Sequence, residues 1–492
     1  MTTGQEIELA LKPFLAAEQI EVAENGKRVG AFAPFRYEVS TKGSQTLLHL
    51  WSEERNLVRR VLRLEEQSAA RVVIEIQQFG KGRPGKLELV CPARQRNANQ
   101  LSRESFCASF GRLLAEQFPD ERIESLTTTA DLEHSFSGCY SRGLLRRGHR
   151  AWAVIAAGLG EDTETIDDIL TFGLIWLNWT RRNAEEWSVE GLRLFLPQGT
   201  SRLTQHRIHA LSGGARVELY ESHEVTNRVC RIDIQDIGNL ATSLTPRREL
   251  EYTLAEAGDW VEKIRRIAPD AIGVGTPPGT RDVAFRFRGL EIARWHRGKI
   301  YFGHGGNRRE LTAESWKEFE RLVGELQKYR HPYVLETSHP LYRTQPERWL
   351  EAIVQGDPLR IHPRLDPTRI YSQVPAMAAG DRGIIDLLGV TLDGRLVVME
   401  LKASEDIHMV MQAVDYWLRV RWHQRQDNFH RFGYFTGIEL QPKAPLLLLV
   451  APGLRFHPAL ESMLPFLANE VEVMRVGLNE NWRQGLQVVF RQ

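Results

Sequence analysis

At 492 residues the chain is too long for one ordinary core, and two to four domains are expected. Its apolar fraction of 42% and charged fraction of 26% are typical of globular proteins. A formal net charge of +1 gives no overall attraction to a polyanion, so any nucleic-acid surface must be a local patch. The longest aliphatic run, residues 445–452, is too short to span a bilayer. The N-terminus has no signal-peptide pattern and the four cysteines form no CxxC pair, so we expect a cytoplasmic protein without a zinc site or a disulfide framework.

The first hundred residues are rich in predicted strands. Between residues 28 and 95, apolar β-branched segments such as RVVIEIQQF alternate with turn sequences such as KGRPGK. A helix is predicted at about 101–118, with a Ser-x-x-Glu-like start. We therefore assign residues 1–100 to a β-rich N-terminal domain.

The rest of the chain predicts two α/β segments separated by a β-rich one. Strands and helices alternate between residues 121 and 235, which is typical of an α/β unit. A linker is predicted at 267–280, strands at 282–303 and a helix at about 312–329. The predicted domains are an α/β domain at 101–243, a β-rich middle domain with a helix at 244–339, and a second α/β domain at 340–492.

The two α/β segments resemble each other in the order of their motifs. RGIID (382–386) parallels RGLLR (142–146), and PLLLLVAPG parallels GLRLFLPQG. An internal repeat predicts that residues 101–235 fold like residues 340–492. The alternative is that any two α/β units share this rhythm.

The segment RLVVMELKA (395–403) predicts a strand with an unusual pair of charges. Glu400 and Lys402 are two positions apart, so both side chains project from the same face. The preceding strand, GDRGIIDLLGV (380–390), carries one acid among apolar residues, Asp386, and TLDG closes a hairpin between the two strands. Two carboxylates on neighbouring strands form an oxygen site suited to Mg²⁺ or Mn²⁺.

The length of the hairpin loop decides whether the two acids meet. A two-residue loop would turn Asp386 to the face opposite Glu400. A three-residue loop, residues 392–394, sets Thr391 opposite Arg395 and therefore Asp386 opposite Glu400. Such loops commonly end in a residue with positive φ, and the last of the three residues is a glycine. We predict this second register.

Two flanking helices carry further candidate residues. The short helix PERWLEAIVQGDP (346–358) contains Glu351, and the helix at about 406–421 places Gln412 and Tyr416 on a polar face. A plain surface glutamate and a solvated helix face are the alternatives.

Taken in order, these residues resemble the PD-(D/E)xK nuclease superfamily: a helix with Glu, a strand with Asp, a strand with Glu-x-Lys, and a helix with Gln and Tyr. Within the superfamily, residues 344–477 look most like the catalytic domain of the NucS/EndoMS type of DNA endonuclease, although Ile385 stands where the signature proline would be. Together with the repeat, the resemblance predicts an α/β protein with two restriction-endonuclease-like mixed-sheet units, each preceded by a β-rich segment.

The resemblance also implies a function and a site. It implies a Mg²⁺- or Mn²⁺-dependent endonuclease that hydrolyses phosphodiester bonds in DNA, acting in DNA repair on particular structures or mismatches. The implied metal ligands are Asp386, Glu400 and Glu351. The implied catalytic residues are Asp386, Glu400, Lys402, Gln412 and Tyr416. The alternative is a non-catalytic nucleic-acid-binding protein that keeps the fold, with Glu400 and Lys402 as a structural ion pair.

The first α/β unit lacks acids at the corresponding positions. Arg146 is expected at the equivalent of Asp386, with Ala156 and Gly158 near the equivalents of Glu400 and Lys402. Without carboxylates this unit cannot hold the metal, so we expect it to be inactive. It would support packing, pair with the second unit like a dimer within one chain, or contact nucleic acid.

Some other polar groups are ambiguous. Basic clusters with interleaved aromatics at 55–63, 141–150 and 297–309 are candidates for contacts with DNA phosphates, and solvated surfaces are the alternative. His206 and His209 are helix-spaced without an evident third ligand, so core or surface histidines are favoured over a metal site.

Overall fold

The computed structural model describes residues 4–17, 19–42, 45–52, 56–77, 84–223, 228–236, 242–247, 250–277, 279–303, 308–378 and 381–492. The chain divides into two compact units, residues 1–110 and 111–492. Both are built around β-sheets, and the second also contains α/β layers. Among the described residues, no helix combines the length and apolar character needed to cross a membrane.

The unit of residues 1–110 is built on a seven-stranded antiparallel sheet. Helix α1 (Gly4–Leu11) precedes it and helix α2 begins after it. Leu48 and Leu50 face the core while their neighbours are half-buried, as expected for an antiparallel strand with one face covered. The sheet order is β2-β1-β7-β6-β5-β4-β3. The elements are β1 Ile20–Glu24, β2 Lys27–Phe32, β3 Arg36–Lys42, β4 Gln45–Trp51, β5 Asn56–Gln67, β6 Arg71–Gln77, β7 Pro84–Val90 and α2 Pro92–Gln117.

The strands predicted within residues 28–95 are present, and the predicted helix lies within α2. The sequence did not predict β1 and β5. Strand β5 carries three arginines, two of them adjacent, on a half-buried strand, which makes the segment look like a basic surface cluster.

The unit of residues 111–492 begins with a six-stranded mixed sheet whose strands lie in chain order. Neighbours β10, β11 and β12 are parallel and the remaining pairs are antiparallel. Helices α3 and α4 connect β10 to β11, and α5 connects β11 to β12. The elements are β8 Arg122–Thr127, β9 Tyr140–Arg147, β10 Arg150–Ala157, α3 Thr163–Asp167, α4 Ile169–Asn183, β11 Ser188–Pro197, α5 Arg202–Ile208, β12 Val217–His223 and β13 Arg228–Ile232.

A five-stranded antiparallel sheet follows, packed against helix α8. The predicted strands at 282–303 and helix at 312–329 are confirmed, but the linker predicted at 267–280 is wrong in part. It contains strand β15, which pairs with β16, and its Gly- and Pro-rich composition hides this four-residue edge strand. The elements are β14 Thr242–Leu244, α6 Leu250–Ala257, α7 Asp259–Arg265, β15 Ile272–Gly275, β16 Val283–Phe287, β17 Leu290–His296, β18 Lys299–Phe302, β19 Arg309–Glu310 and α8 Trp316–Tyr329.

The last segment forms a seven-stranded mixed sheet of order β14-β20-β21-β22-β23-β24-β25. Its first strand, β14, comes from residues directly after the first α/β unit and pairs antiparallel with β20. The elements are α9 Pro340–Arg343, α10 Pro346–Gly356, α11 Pro358–Ile361, β20 Tyr371–Ala378, β21 Asp381–Val390, β22 Leu396–Leu401, α12 Met409–Arg425, α13 Asn428–Arg431, β23 Leu446–Pro452, α14 Leu460–Met463, β24 Glu472–Leu478 and β25 Val488–Arg491.

The two mixed sheets share one strand order and one pattern of orientations. In β8 to β13 and again in β20 to β25, the first two pairs of neighbouring strands are antiparallel, the next two pairs are parallel and the last pair is antiparallel. A helix connects the third strand to the fourth in each case, α4 in the first sheet and α12 in the second. The match in strand order predicted from the repeat is therefore confirmed.

The helical faces of the two sheets share one hydrophobic core. Leu174 of α4 and Val414 of α12 belong to the same buried cluster, which reaches across both sheets. The backbones also meet directly, since Leu211 forms an antiparallel bridge with Leu467 and the Ser212 N–H donates to the Phe466 carbonyl at 2.8 Å. The two α/β units thus pack as one body.

The hairpin register predicted for β21 and β22 is also confirmed. Val390 pairs with Leu396 and Leu387 with Met399, and the Thr391 N–H donates to the Arg395 carbonyl at 2.8 Å. Gly394 has φ 87°, in the left-handed region expected for the end of a three-residue loop. A Cβ atom at Gly394 would lie 2.0 Å from the Glu439 carbonyl oxygen, so this position of the turn also requires a residue without a side chain.

Replacing Gly394 by alanine should destabilise the protein more than the same change at Gly148. Gly148 begins the two-residue loop of the matching hairpin in the first sheet, with φ 59° and open space around its Cβ position, so Gly148→Ala carries only left-handed strain of about 1–2 kcal/mol. Gly394→Ala adds a collision with backbone. Calorimetric unfolding of the two variants checks this, and equal midpoints would contradict it.

Candidate active site

The hairpin brings Asp386 and Glu400 to one face of the last sheet. The register of β21 and β22, continued by one residue beyond the Leu387–Met399 pair, sets the two acids opposite each other. The Leu401 N–H donates to Asp386 Oδ2 at 3.1 Å. Burial raises the pKa of the Asp386 carboxyl, and this backbone hydrogen bond partly offsets the effect.

Glu400 is the more deeply buried of the two acids. Its side chain is 4% exposed, and within the described part of the chain its Oε2 atom has no hydrogen-bond partner. Burial raises the pKa of Glu400 well above the usual value, and the facing Asp386 raises it further. A buried carboxylate oxygen without a partner is costly, so this atom is placed to accept a cation or a proton.

Lys402 is held by three acceptors on the same face. Its Nζ lies 2.7 Å from Asp406 Oδ2, 2.6 Å from Gln412 Oε1 and 3.4 Å from Glu400 Oε1. Three acceptors match the three donors of an ammonium group. Burial lowers the pKa of Lys402, but Glu400 and Asp406 outweigh it and the net shift is upward. The ammonium therefore stays charged and fixed in direction.

Glu351 reaches the pair through an intermediary. It is buried on α10, where burial raises its pKa to about 8, and Arg348 Nη1 donates to its Oε2 at 2.9 Å. The Gln373 side-chain amide donates to Glu351 Oε2 at 2.7 Å and approaches Asp386 Oδ1 at 3.5 Å. The third predicted carboxylate is thus linked to the first through Gln373.

Gln373 was not identified from the sequence. It lies opposite Asp386 in the register of β20 and β21, yet the pairing skips it and its φ is 55°. A non-glycine residue in the left-handed region is strained, and such strain concentrates at functional sites. The sequence gives no signal for it, because a glutamine within a strand pattern does not announce a positive φ.

Tyr416 approaches the pair from α12. Burial raises the pKa of its phenol, and Glu400 and Asp386 raise it further. The helix lies close to β21 at Gly383, where a Cβ atom would be 3.0 Å from the Tyr416 ring and 2.3 Å from Arg419 Nη1. The glycine therefore allows the helix that carries Gln412 and Tyr416 to approach the strand that carries Asp386.

The donor set fits a hard divalent cation. Within the described residues there is no group of three or more His, Cys, Asp or Glu side chains arranged to hold a metal. Mg²⁺, however, is commonly bound through one or two carboxylates, with water and substrate phosphates filling its other positions. Asp386 and Glu400 provide two carboxylates, and the unpartnered Glu400 Oε2 provides a ready oxygen.

The equivalents assigned in the first α/β unit need correction. Strands β11 and β23 both end at a proline, Pro197 and Pro452. When the two strands are aligned at these prolines, Leu194 is the equivalent of Leu449. Ile155 lies beside Leu194 as Glu400 lies beside Leu449. The equivalent of Glu400 is therefore Ile155.

The other two positions shift with it. Arg142, opposite Ile155, is the equivalent of Asp386 in place of Arg146, and Ala157 is the equivalent of Lys402. Ala156 and Gly158 are each displaced by one residue and so occupy the wrong face. The corrected positions also lack a carboxylate.

A large cleft opens beside the pair. Its volume is about 1080 Å³, and Glu351, Gln373 and Ile384 line it together with residues of the five-stranded sheet. Three acidic residues stand in it against seven arginines. The arginines are Arg265, Arg286, Arg288, Arg294, Arg308, Arg348 and Arg483.

Two of the three basic clusters predicted from the sequence contain arginines that pair with acids, and the third contributes an arginine to this cleft. In 55–63, whose residue 55 lies outside the described residues, Arg59 pairs with Glu24 and Arg63 with Glu75. In 141–150, three of the arginines pair with acids. Arg294, Arg308 and Arg348 of the cleft are paired with acids too, so contacts of these two clusters with DNA phosphates stay a prediction. In 297–309, whose residues 304–307 lie outside the described part, Arg308 lines the cleft.

Replacing Glu400 by glutamine should stabilise the metal-free protein at neutral pH. Because the folded-state pKa of Glu400 is raised, the stability present below the ordinary glutamate pKa of 4.5 is lost as the pH rises through the folded-state value. In EDTA, the thermal midpoint of the unmodified protein should therefore fall more steeply than that of Glu400→Gln as the pH rises above 4.5. Adding Mn²⁺ should raise the thermal midpoint of the unmodified protein and not that of Glu400→Gln. Parallel curves of midpoint against pH for the two proteins would contradict the prediction.

Comparison of the chain with models of known protein families gives no match, and comparison with curated proteins gives no significant match. The resemblance to nucleases therefore rests on the motif residues themselves.

Proposed function

We propose that the chain is a divalent-metal-dependent endonuclease that hydrolyses phosphodiester bonds in DNA, with Asp386 and Glu400 holding Mg²⁺ or Mn²⁺. The observation that carries the proposal is the pair of opposed carboxylates, the half-buried Asp386 and the buried Glu400, with one oxygen of Glu400 unpartnered among the described residues. A structural ion pair would need only Glu400 and Lys402, and it would not need a second acid opposite the first.

The chemistry divides between the metal and the side chains. When bound, the metal supplies an activated water and offsets the charge that develops on the phosphate. Lys402 holds a fixed positive charge on the same face, directed by Asp406 and Gln412, where it stabilises the same developing charge. Gln373, tied to the buried Glu351, orients Asp386.

The arginine-lined cleft supports a nucleic-acid substrate. Contacts to phosphates supply most of the sequence-independent affinity for DNA, and arginine suits them because its donors match phosphate oxygens. Glu351 and Gln373, the neighbours of the carboxylate pair, form part of the lining. A DNA backbone bound in the cleft would therefore lie beside the candidate metal site.

The first α/β unit fits an inactive copy within this proposal. Its matching strand order supports an internal duplication of a restriction-endonuclease-like sheet, and Arg142, Ile155 and Ala157 stand where the acids and the lysine would be. Its shared core with the second unit makes the pair a dimer-like body within one chain.

Cleavage should depend on the two carboxylates and on divalent metal. Asp386→Asn and Glu400→Gln should abolish cleavage of branched, mismatched or single-stranded DNA in Mg²⁺ or Mn²⁺, while DNA binding stays within a few-fold of the unmodified protein, since phosphate contacts supply the affinity. Asp357→Asn, an exposed acid at the end of α10, is the matched control and should cleave normally. Full activity in excess EDTA or in the two variants would refute the nuclease, and binding without any cleavage would favour the non-catalytic binder.

The cleft can be tested with two neighbouring arginines. Arg265 lines it, whereas the adjacent Arg266 pairs with Glu262 and does not contribute to the lining. Arg265→Ala should weaken DNA binding several-fold and reduce the salt dependence by about one phosphate contact, while Arg266→Ala should bind nearly as the unmodified protein. Fluorescence anisotropy titrations at several salt concentrations measure both. An equal effect of the two changes would place the DNA elsewhere.

A further inference from the structure

The inactive α/β unit touches the proposed site at one point. Asp168 directly precedes helix α4 of the first unit, and His408 directly precedes helix α12 of the second. Asp168 Oδ2 lies 3.2 Å from His408 Nδ1, an ion-pair distance without the alignment of a hydrogen bond. The His408 ring also meets the Phe172 ring of α4 edge-on, with the ring centroids 5.7 Å apart.

A short chain of contacts runs from His408 to the lysine. The His408 N–H donates to Asp406 Oδ1 at 2.8 Å, and the other oxygen of Asp406 holds Lys402 Nζ at 2.7 Å. The His408 carbonyl accepts from the N–H of Gln412, whose side chain is the other close partner of Lys402. Both groups that direct the ammonium are thus anchored on His408.

Asp168 is itself anchored within the first unit. It is buried, and Arg207 of α5 lies 3.7 Å from its Oδ1 while donating to the carbonyl of Asp167 at 2.8 Å. Its position is therefore set by the packing of the first unit and does not depend on the loop that it contacts. Asp168 can therefore hold the segment that leads into α12 through its contact with His408.

We infer that Asp168 of the first α/β unit is a positioning residue for the proposed nuclease site: its carboxylate holds His408, which fixes Asp406 and Gln412 and through them the ammonium of Lys402. The inference rests on the proposed function for its catalytic meaning, but the chain of contacts can be measured without any cleavage. It gives the inactive unit a role in the site that it cannot form itself.

The first readout is the reactivity of the Lys402 amine. The full-length protein is treated briefly with an N-hydroxysuccinimide ester, and acylation is quantified at each lysine by mass spectrometry, with the exposed Lys317 as internal reference. In Asp168→Asn, the reagent should acylate Lys402 roughly 10-fold faster than in the unmodified protein, because Asp406 and Gln412 no longer hold the amine in place. His408→Gln tests the same contact from the other side, should Asp168→Asn fail to fold.

The second readout is turnover. Asp168→Asn should lower kcat roughly 10- to 100-fold with KM unchanged, since the cleft arginines are untouched, and it should keep the metal-induced rise in the unfolding midpoint. Asp168→Glu, which keeps the charge, should recover part of the loss.

A matched control separates positioning from general loosening of the interface. His206 is buried in the same interface, where its Nδ1 lies 3.0 Å from Asp415 on α12, and Asp415 is not one of the three acceptors that hold Lys402. His206→Gln should lower the unfolding midpoint and leave Lys402 acylation unchanged. Unaltered acylation in Asp168→Asn, or equal acceleration in Asp168→Asn and His206→Gln, would overturn the inference. Faster acylation confined to the Asp168 variants, in a protein that cleaves no DNA, would uphold the positioning and refute the nuclease.

Discussion

The pairing of β21 with β22 in a single register is the constraint on which the candidate site depends. Side chains alternate along a strand, so a slip of one residue would send Asp386 to the opposite face from Glu400. The register is secured at the turn, because the Gly394 carbonyl accepts from the Gln441 N–H at 2.8 Å and the Gln441 side chain donates to Asp393. A segment almost fifty residues further along the chain thereby holds the two acids together.

This register forces the fold to accommodate a half-buried acid, Asp386, beside a buried one, Glu400. Burying like charges side by side is unfavourable unless hydrogen bonds or a cation offset it. The protein offsets part of the cost with the Leu401 N–H on Asp386 and the ammonium of Lys402 near Glu400. One oxygen of Glu400 stays without a partner among the described residues. The second acid, Asp386, opposite Glu400 is what distinguishes this arrangement from an ion pair of Glu400 and Lys402 alone.

Local features could be predicted from the sequence, and tertiary ones could not. The opposition of Asp386 and Glu400 followed from the two-residue period of strands and from the chemistry of a three-residue loop, both of which act over a few residues. The cleft arginines could not be recognised as a set, because they are spread from Arg265 to Arg483 and only folding brings them together. Asp406 is one acid in the polar segment SEDIH, and nothing in that composition indicates that it faces Lys402.

The error at Arg146 has a similar origin. The alignment of RGLLR with RGIID rests on residue similarity alone and ignores the lengths of the hairpin loops that follow. The first hairpin pairs Arg147 with Arg150 across two residues, whereas the second has a three-residue loop. Because the loops differ in length, equivalent residues in the two hairpins cannot be read from local similarity. The parallel pairing with the next strand is the more reliable guide, since β11 and β23 both end at a proline.

The contact between Asp168 and His408 also explains what two diverged units in one chain can do that a symmetric dimer cannot. The two residues hold equivalent places, each directly before the long helix between the third and fourth strands. In an isologous dimer, residues that meet their own equivalents are identical, so an acid would face an acid there. Joining the units in one chain frees the two positions to differ, and an acid can then face a histidine across the shared core. Under the proposed function, a first unit without metal ligands can still support the site, because it needs only its packing to hold Asp168 in place.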